Sequence, residues 1–169
     1  MTQFIHLADS RVISSITCSG IAATKLRAPI HLGASIPQGV FCVPVIPDFY
    51  RTHQWLRELR RRGVRSFHAV QFTLKAEAMV WVGRFNRDHI NVTATEAAGI
   101  FMHHESGLGL QVVVPHRIPA VAISRIYGLR QVTGWRFYPE AKGKPPFCRC
   151  AYCNRGLINA RKVIDPELC

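Results

Sequence analysis

Acidic side chains are scarce in this chain: 10 Asp and Glu stand against 22 Lys and Arg in 169 residues, a formal net charge of +12. With a pI near 10.1, the leading partner is nucleic acid, bound through neutralised phosphates and released counterions. Solubility or an acidic protein partner are the plainer explanations for the same charge. Lysine is the minor cation, and a surplus made of arginine favours bidentate contacts to phosphate. Long apolar runs are also missing. Nothing approaches the roughly 18–20 consecutive residues that span a bilayer. No basic amphipathic helix shows a clean apolar face, so no membrane partner is expected. The N-terminus lacks a basic region followed by an apolar core, so no secretory leader is expected. The expected compartment is the cytoplasm, where the six cysteines are reduced thiols or metal ligands. Repeats and low-complexity segments are absent. What remains, 48% hydrophobic and 19% charged, is an ordinary folded composition with enough length for one real core.

The stretch IHLADSRVISSITCSGI, Ile5 to Ile21, organises the rest. It reads as a short apolar strand ending in His6, then a turn, then a helix capped by Asp9 or Ser10. Val12, Ile13 and Ile16 fall on one helix face, and Gly20 sits where a left-handed residue ends a helix. A histidine beside a helix N-terminus suits an anionic, phosphate-bearing ligand, and a purely structural histidine at a strand end is the equal alternative. Residues 22–38 read as a loop. Gly39 to Pro47 reads as a strand whose prolines keep its end out of a sheet centre.

Asp48 to Gly63 carries the strongest helix pattern, capped by Asp48 and striped by Phe49, Leu56 and Leu59. Its end, Arg60-Arg61-Arg62, either matches the helix dipole or faces phosphate. Tyr50, His53 and Trp55 crowd its first two turns, and for Trp55 core packing is the expected role. Arg65 to Phe85 reads as two strands and 86–91 as a polar loop. Thr93 or Thr95 should cap the short helix TATEAAGIFM, with Glu96 in its first turn. A Gly-rich loop leads to the strand LQVVVP, Leu110 to Pro115, then an apolar segment and a final strand, QVTGWRFYP. Residues 1–144 form the expected domain, with a Cys-rich tail, 145–169, packed on it. In that tail Cys148, Cys150 and Cys153 make a C-x-C-x-x-C turn that could begin a tetrahedral zinc site lacking its fourth ligand. Three reduced thiols on an ordered turn are the alternative.

Three separated pieces, IHLADSRVISSITCSGI, GVFCVPVIPDFYRTHQW and LQVVVPHRIPAVAI, together resemble the ADP-ribosyltransferase superfamily, and within it the DarT-like toxins that modify nucleic acid. The resemblance covers roughly residues 4 to 127 and rests on order and spacing. It implies an α+β fold with a split mixed β-sheet and flanking helices, and NAD as the bound nucleotide. Carried onto this chain, it puts His6 and Leu7 at the NAD ribose, and Gly39 and Phe41 on the strand beside the nicotinamide. Tyr50 and His53 then fall on the pocket helix, and Arg51 contacts NAD phosphate or the target backbone. It implies transfer of ADP-ribose to RNA, slightly preferred, or DNA, in a toxin–antitoxin or phage-defence setting with a possible antitoxin partner.

The departure is at the catalytic glutamate, where this chain has Gln111. A neutral amide keeps the shape of the carboxylate and loses its charge, so transition-state stabilisation falls steeply. Three explanations stand: an inactivated Glu-to-Gln form, a naturally inactive or divergent homologue, or a catalytic carboxylate elsewhere, at Glu105 or Glu96. Two other functions remain open. One is an RNA 2′-phosphotransferase on the same scaffold, which needs arginines around a 2′-phosphate. The other is a non-enzymatic, zinc-stapled nucleic-acid-binding protein.

Overall fold

A computed structural model describes residues 1–25, 38–61, 64, 66–85, 87–105 and 107–129. The domain assigned to 1–144 is therefore seen to residue 129. The tail 145–169, with Cys148, Cys150 and Cys153, and the final strand expected near residue 131 lie outside the described residues.

The fold is α+β, one large sheet with a few helices. The strands are β1 (Thr2–Asp9), β2 (Thr24–Lys25), β3 (Gln38–Pro44), β4 (Phe67–Leu74), β5 (Met79–Arg84), β6 (His89–Thr93), β7 (Leu110–Val114) and β8 (Ile123–Leu129). They run β6-β5-β7-β3-β1-β4-β8, with β2 pairing β3 off that path. Every described strand pair is antiparallel, which corrects the expectation of a mixed sheet. The reason is visible at the helical crossovers, where α2 (Phe49–Thr52) and α3 (Leu56–Arg61) join β3 to β4 across β1. The helix α4 (Ala94–His103) joins β6 to β7, strands of like direction, but β5 pairs between them. A parallel ladder needs the crossover strands to be neighbours, and here they are not.

His6 is in the middle of β1 rather than at its end, because the strand runs on to Asp9 against β4 in unbroken register, Thr2↔Leu74 to Asp9↔Phe67. Asp9 then caps the turn: its carboxylate accepts from Arg11 N–H at 2.9 Å. A single 3-10 turn, Ser10–Val12, separates it from helix α1 (Ile13–Ser19), so the expected junction of histidine and helix N-terminus does not form. Gly20 does end α1 with φ +80°; a Cβ there would lie 2.1 Å from the Ile118 carbonyl oxygen. The glycine is required both by its backbone and by this close approach.

The expected long helix from Asp48 is broken into α2 (Phe49–Thr52) and α3 (Leu56–Arg61). Asp48 caps α2, accepting from Arg51 N–H at 3.0 Å. The break falls at His53, Gln54 and Trp55, all buried; Gln54 and Trp55 bond to backbone of the distant Gly107, Gly109 and Leu110, and His53 Nε2 meets the Tyr127 hydroxyl. Tertiary hydrogen bonds here outweigh helical propensity, which is worth only tenths of a kcal/mol per residue. Residue 86 aside, the polar stretch before Asn91 is a loop only as far as Asp88, since β6 begins at His89.

The core is built on the central strands. Phe4, Ile5, Val40, Val70, Phe72, Val80, Val112 and Val114 are all buried, as strands covered on both faces require. Helix α4 lays Ala94, Ala97 and Phe101 into this core, a spacing of three and four that makes one stripe. A capping box starts it, Thr93 Oγ accepting from Glu96 N–H at 3.2 Å and Glu96 Oε2 accepting from Thr93 N–H at 2.8 Å. Thr95 is not the cap; its hydroxyl donates to the Ala76 carbonyl. Among the described residues no helix is long and apolar enough to cross a membrane.

Candidate functional site

The two halves of the sheet meet at β1 and β3, and they meet briefly. Their ladder registers only Phe4↔Pro44 and Ile5↔Val43. Continued by two steps beyond Ile5, it would pair His6 with Cys42 and Leu7 with Phe41. Instead, His6 Nδ1–H donates to the Phe41 carbonyl at 2.8 Å, a side-chain bond where a backbone bond would be. A cleft of about 220 Å³ opens at this point, lined by His6, Leu7, Phe41, Cys42, Val43, Trp55, Leu59, Phe85 and Gln111.

The lining is apolar with two polar tips. A carbonyl can only accept, so His6 carries its proton on Nδ1 and leaves Nε2 as an acceptor. Burial pushes the His6 pKa below its ordinary value, against the smaller opposing effect of the Phe41 carbonyl, so the ring is neutral near pH 7. Gln111 is buried; its amide Nε2–H donates to His89 Nε2 at 3.1 Å. His89 Nδ1–H in turn donates to the Arg87 carbonyl at 2.9 Å, which fixes that ring's tautomer too. Burial lowers the His89 pKa, and the Arg87 carbonyl and the Asp88 charge oppose this. The Cys42 thiol is held protonated by burial, its pKa far above the ordinary range. None of the residues lining the cleft is ionised near neutral pH.

Trp55 anchors the α2–α3 turn and walls the cleft. Its indole N–H donates to the Leu110 carbonyl at 2.8 Å, tying the α2–α3 turn to β7. Its ring meets Phe85 edge-on at 5.6 Å between centroids, a favoured aromatic geometry, and both rings wall the cleft. Phe85, expected to end a strand, lies one residue past β5 (Met79–Arg84); the sequence gives no sign of its place in the cleft.

The structure thus brings four of the sequence-derived site residues together, His6, Leu7, Phe41 and Gln111, and leaves others apart. Gly39 is buried in β3; a Cβ there would come 2.3 Å from Val113 Cγ1, so close packing explains the glycine. Tyr50 is half-buried on α2 outside the cleft lining. His53 donates from Nδ1 to the Phe49 carbonyl at 2.9 Å, and its Nε2 meets the Tyr127 hydroxyl at 3.2 Å. Phe49 stacks on its ring at 4.0 Å.

Arg51 faces away from the cleft. Its guanidinium donates to the carbonyls of Phe101, Met102 and His104 at 3.2–3.3 Å and reaches that of Glu105 at 3.5 Å. These are the carbonyls that the end of α4 leaves without intrahelical partners, and a cation there also suits the helix dipole. The neighbouring Gln54 is fully buried and clamps the Gly-rich loop. Its Nε2 donates to the Gly107 carbonyl at 3.0 Å, and its Oε1 accepts from Gly109 N–H at 2.6 Å.

The two glutamates considered as alternative carboxylates are also elsewhere. The Glu96 carboxylate is taken up by Thr93 N–H and Oγ–H, and those bonds hold its pKa down. Glu105 is exposed in the loop after α4. Neither lines the cleft. Among the described residues no three His, Cys, Asp or Glu side chains gather as a metal site.

Protein-family models, curated proteins and solved structures were each compared with the chain, and none matches it.

Proposed function

We propose that the cleft binds the nicotinamide-ribose part of NAD, and that the chain is an ADP-ribosyltransferase-type toxin acting on nucleic acid, RNA before DNA, in the cytoplasm. The observation that carries this reading is the convergence, where the β1–β3 ladder opens, of His6, Phe41 and Gln111 from three strands distant in sequence. These are the positions that the resemblance assigns to ribose, nicotinamide and the catalytic carboxylate. The sheet's parting at this point accords with a split-sheet architecture.

Size and chemistry support a part of the dinucleotide rather than the whole. Whole drug-sized ligands take pockets of about 300–1,000 Å³, whereas this cleft has 220 Å³. An aromatic ring between Phe41, Trp55 and Phe85 gains stacking contacts, and sugar hydroxyls find acceptors at His6 Nε2 and Gln111 Oε1. The pyrophosphate then lies outside this uncharged lining, toward solvent and the chain's basic surface. NAD supplies an electrophilic ribose carbon as its nicotinamide departs. The chain's part is to stack the ring, hold the hydroxyls and exclude water.

Gln111 limits the chemistry. Hydrogen bonding through its carbonyl positions the sugar but brings no negative charge to a developing cation, so the chain as it stands binds far better than it transfers. Zinc at Cys148, Cys150 and Cys153 and an antitoxin partner belong to the same reading as further proposals.

The test uses the chain and its Gln111→Glu variant, each incubated with labelled NAD and bacterial RNA, then DNA. Label carried into nucleic acid by Gln111→Glu and not by the parent chain is the expected result. Transfer by neither, with no NAD binding, overturns the reading in favour of a basic nucleic-acid-binding protein. Release of a 2′-phosphate from phosphorylated RNA with NAD would instead mark a phosphotransferase.

A further inference from the structure

One row of residues crosses three strands beside the cleft. Gly83 on β5 stands opposite His89 on β6 and opposite Gln111 on β7. Directly opposed residues of neighbouring strands project from the same face, so the side chains of 89 and 111 flank a position that has none. The space above Gly83 is filled. A Cβ at 83 would lie 2.7 Å from His89 Cγ, 2.8 Å from its Nδ1 and 2.6 Å from the Asp88 carbonyl oxygen, all closer than real contacts allow. The imidazole of His89 therefore occupies what residue 83 gives up. Strands lie about 4.8 Å apart, and the bond from Gln111 to His89 crosses two such intervals. Only a glycine at the middle position leaves that path open.

The bond also has a direction. His89 Nδ1–H is spent on the Arg87 carbonyl, so Nε2 offers a lone pair and Gln111 must present its NH2 group. That choice turns Gln111 Oε1 away from the ring. Among the described residues Oε1 accepts no hydrogen bond, while Gln111 lines the cleft.

We propose that His89, laid across Gly83, is a positioning residue that locks the amide of Gln111 and presents its Oε1 to the cleft as an acceptor for a ligand O–H or N–H. With His6 Nε2, the cleft then offers two neutral acceptors, and it selects a ligand by its donors, such as sugar hydroxyls or a carboxamide. The identity of that ligand rests on the reading of the cleft as an NAD site; the locking of Gln111 does not. The same geometry couples residue 111 to the protonation of His89. A carboxylate at 111 has no N–H to give and faces the Nε2 lone pair, so it favours a proton on Nε2 and, with Nδ1–H kept on the Arg87 carbonyl, the imidazolium. The charge that acts on the ring is that of Asp88 beside it in the chain; Arg87 meets the ring through its backbone carbonyl. Arg84 and His104 line the open groove that also includes Gly83.

The experiment is histidine NMR on the full chain across pH, for the parent, Gln111→Glu, Gly83→Ala, His89→Phe and His89→Gln, with NAD affinity measured by calorimetry on each. In the parent, His89 is expected as the Nδ1–H tautomer, neutral at pH values where exposed histidines protonate. In Gln111→Glu its titration moves upward, because the new carboxylate favours the charged ring. His89→Phe and Gly83→Ala weaken NAD binding by about tenfold, the value of one oriented hydrogen bond. His89→Gln, which can offer an acceptor oxygen, recovers part of it. An Nε2–H tautomer in the parent, or a titration unmoved by Gln111→Glu, overturns the positioning role. NAD affinity in His89→Phe equal to the parent's overturns the presentation of Oε1. If NAD binds none of the proteins, the NAD reading falls, and the tautomer and titration still decide what His89 does.

Discussion

Two polar clusters in this molecule look alike in sequence and differ in what their atoms have left to give. At the α2–α4 corner, Arg51, His53 and Gln54 are committed inward. Arg51 holds the end of α4, Gln54 bonds to Gly107 and Gly109, and His53 sits between Phe49 and Tyr127. At the β1–β3 opening, His6 and Gln111 each spend one group on the protein and keep an acceptor for something else. Buried polar atoms are almost always paired in folded proteins, so a buried residue with an idle acceptor facing a cleft is the better mark of a binding site. A histidine or arginine in an aromatic-rich stretch is a weaker one. The corner is a clamp; the opening is the candidate site.

That difference can be broken from either side. The largest effect is expected at Gln54→Ala, which leaves the buried Gly109 N–H and Gly107 carbonyl without partners. A loss of stability on the order of 3 kcal/mol follows, measured by chemical denaturation. Arg51→Ala releases the carbonyls at the end of α4 and, because the side chain is partly exposed, costs about 1–2 kcal/mol. Both variants that remain folded should bind the cleft ligand as the parent does. His6→Phe reverses the pattern: it removes one hydrogen bond, about 1 kcal/mol of stability, and abolishes most ligand affinity.

The smallest effect is spread over pH. Burial lowers the pKa of His6, His53 and His89. A group whose folded pKa is depressed leaves the unfolded chain binding more protons, so stability is full above the unfolded value, about 6.5, and declines as pH falls below it. The midpoint of thermal unfolding should drop between about pH 7 and about pH 5. His53→Phe should flatten part of that drop without touching ligand binding, whereas His6→Phe should flatten part of it and lose binding as well.

Much of the frame is written locally. Thr93 caps α4 with Glu96 in its first turn, Asp48 caps its helix, Gly20 ends α1 at a positive φ though not in the left-handed helical conformation, and Leu110 to Val114 is the expected strand. Propensity and capping act over a few residues, so a short window contains them. The convergence of His6, Leu7, Phe41 and Gln111 was legible only through family-like order and spacing, since no local rule pairs residues so distant in the chain. The long helix at Asp48 failed because its interruption is made by partners far away, Leu110 for Trp55 and Gly109 for Gln54. His89 was hidden by the polar look of the residues around it. The available signal was Gly83, a glycine inside a strand, which often marks another group's close approach.

The most direct measurement is calorimetric titration of NAD into the parent chain and into His6→Phe, with Gln54→Ala as a folded control of the other cluster. Saturable binding to the parent and to Gln54→Ala is expected, with a loss of at least about tenfold in His6→Phe. Equal affinity in all three, or none in the parent, would contradict the claim that the β1–β3 opening is the ligand site.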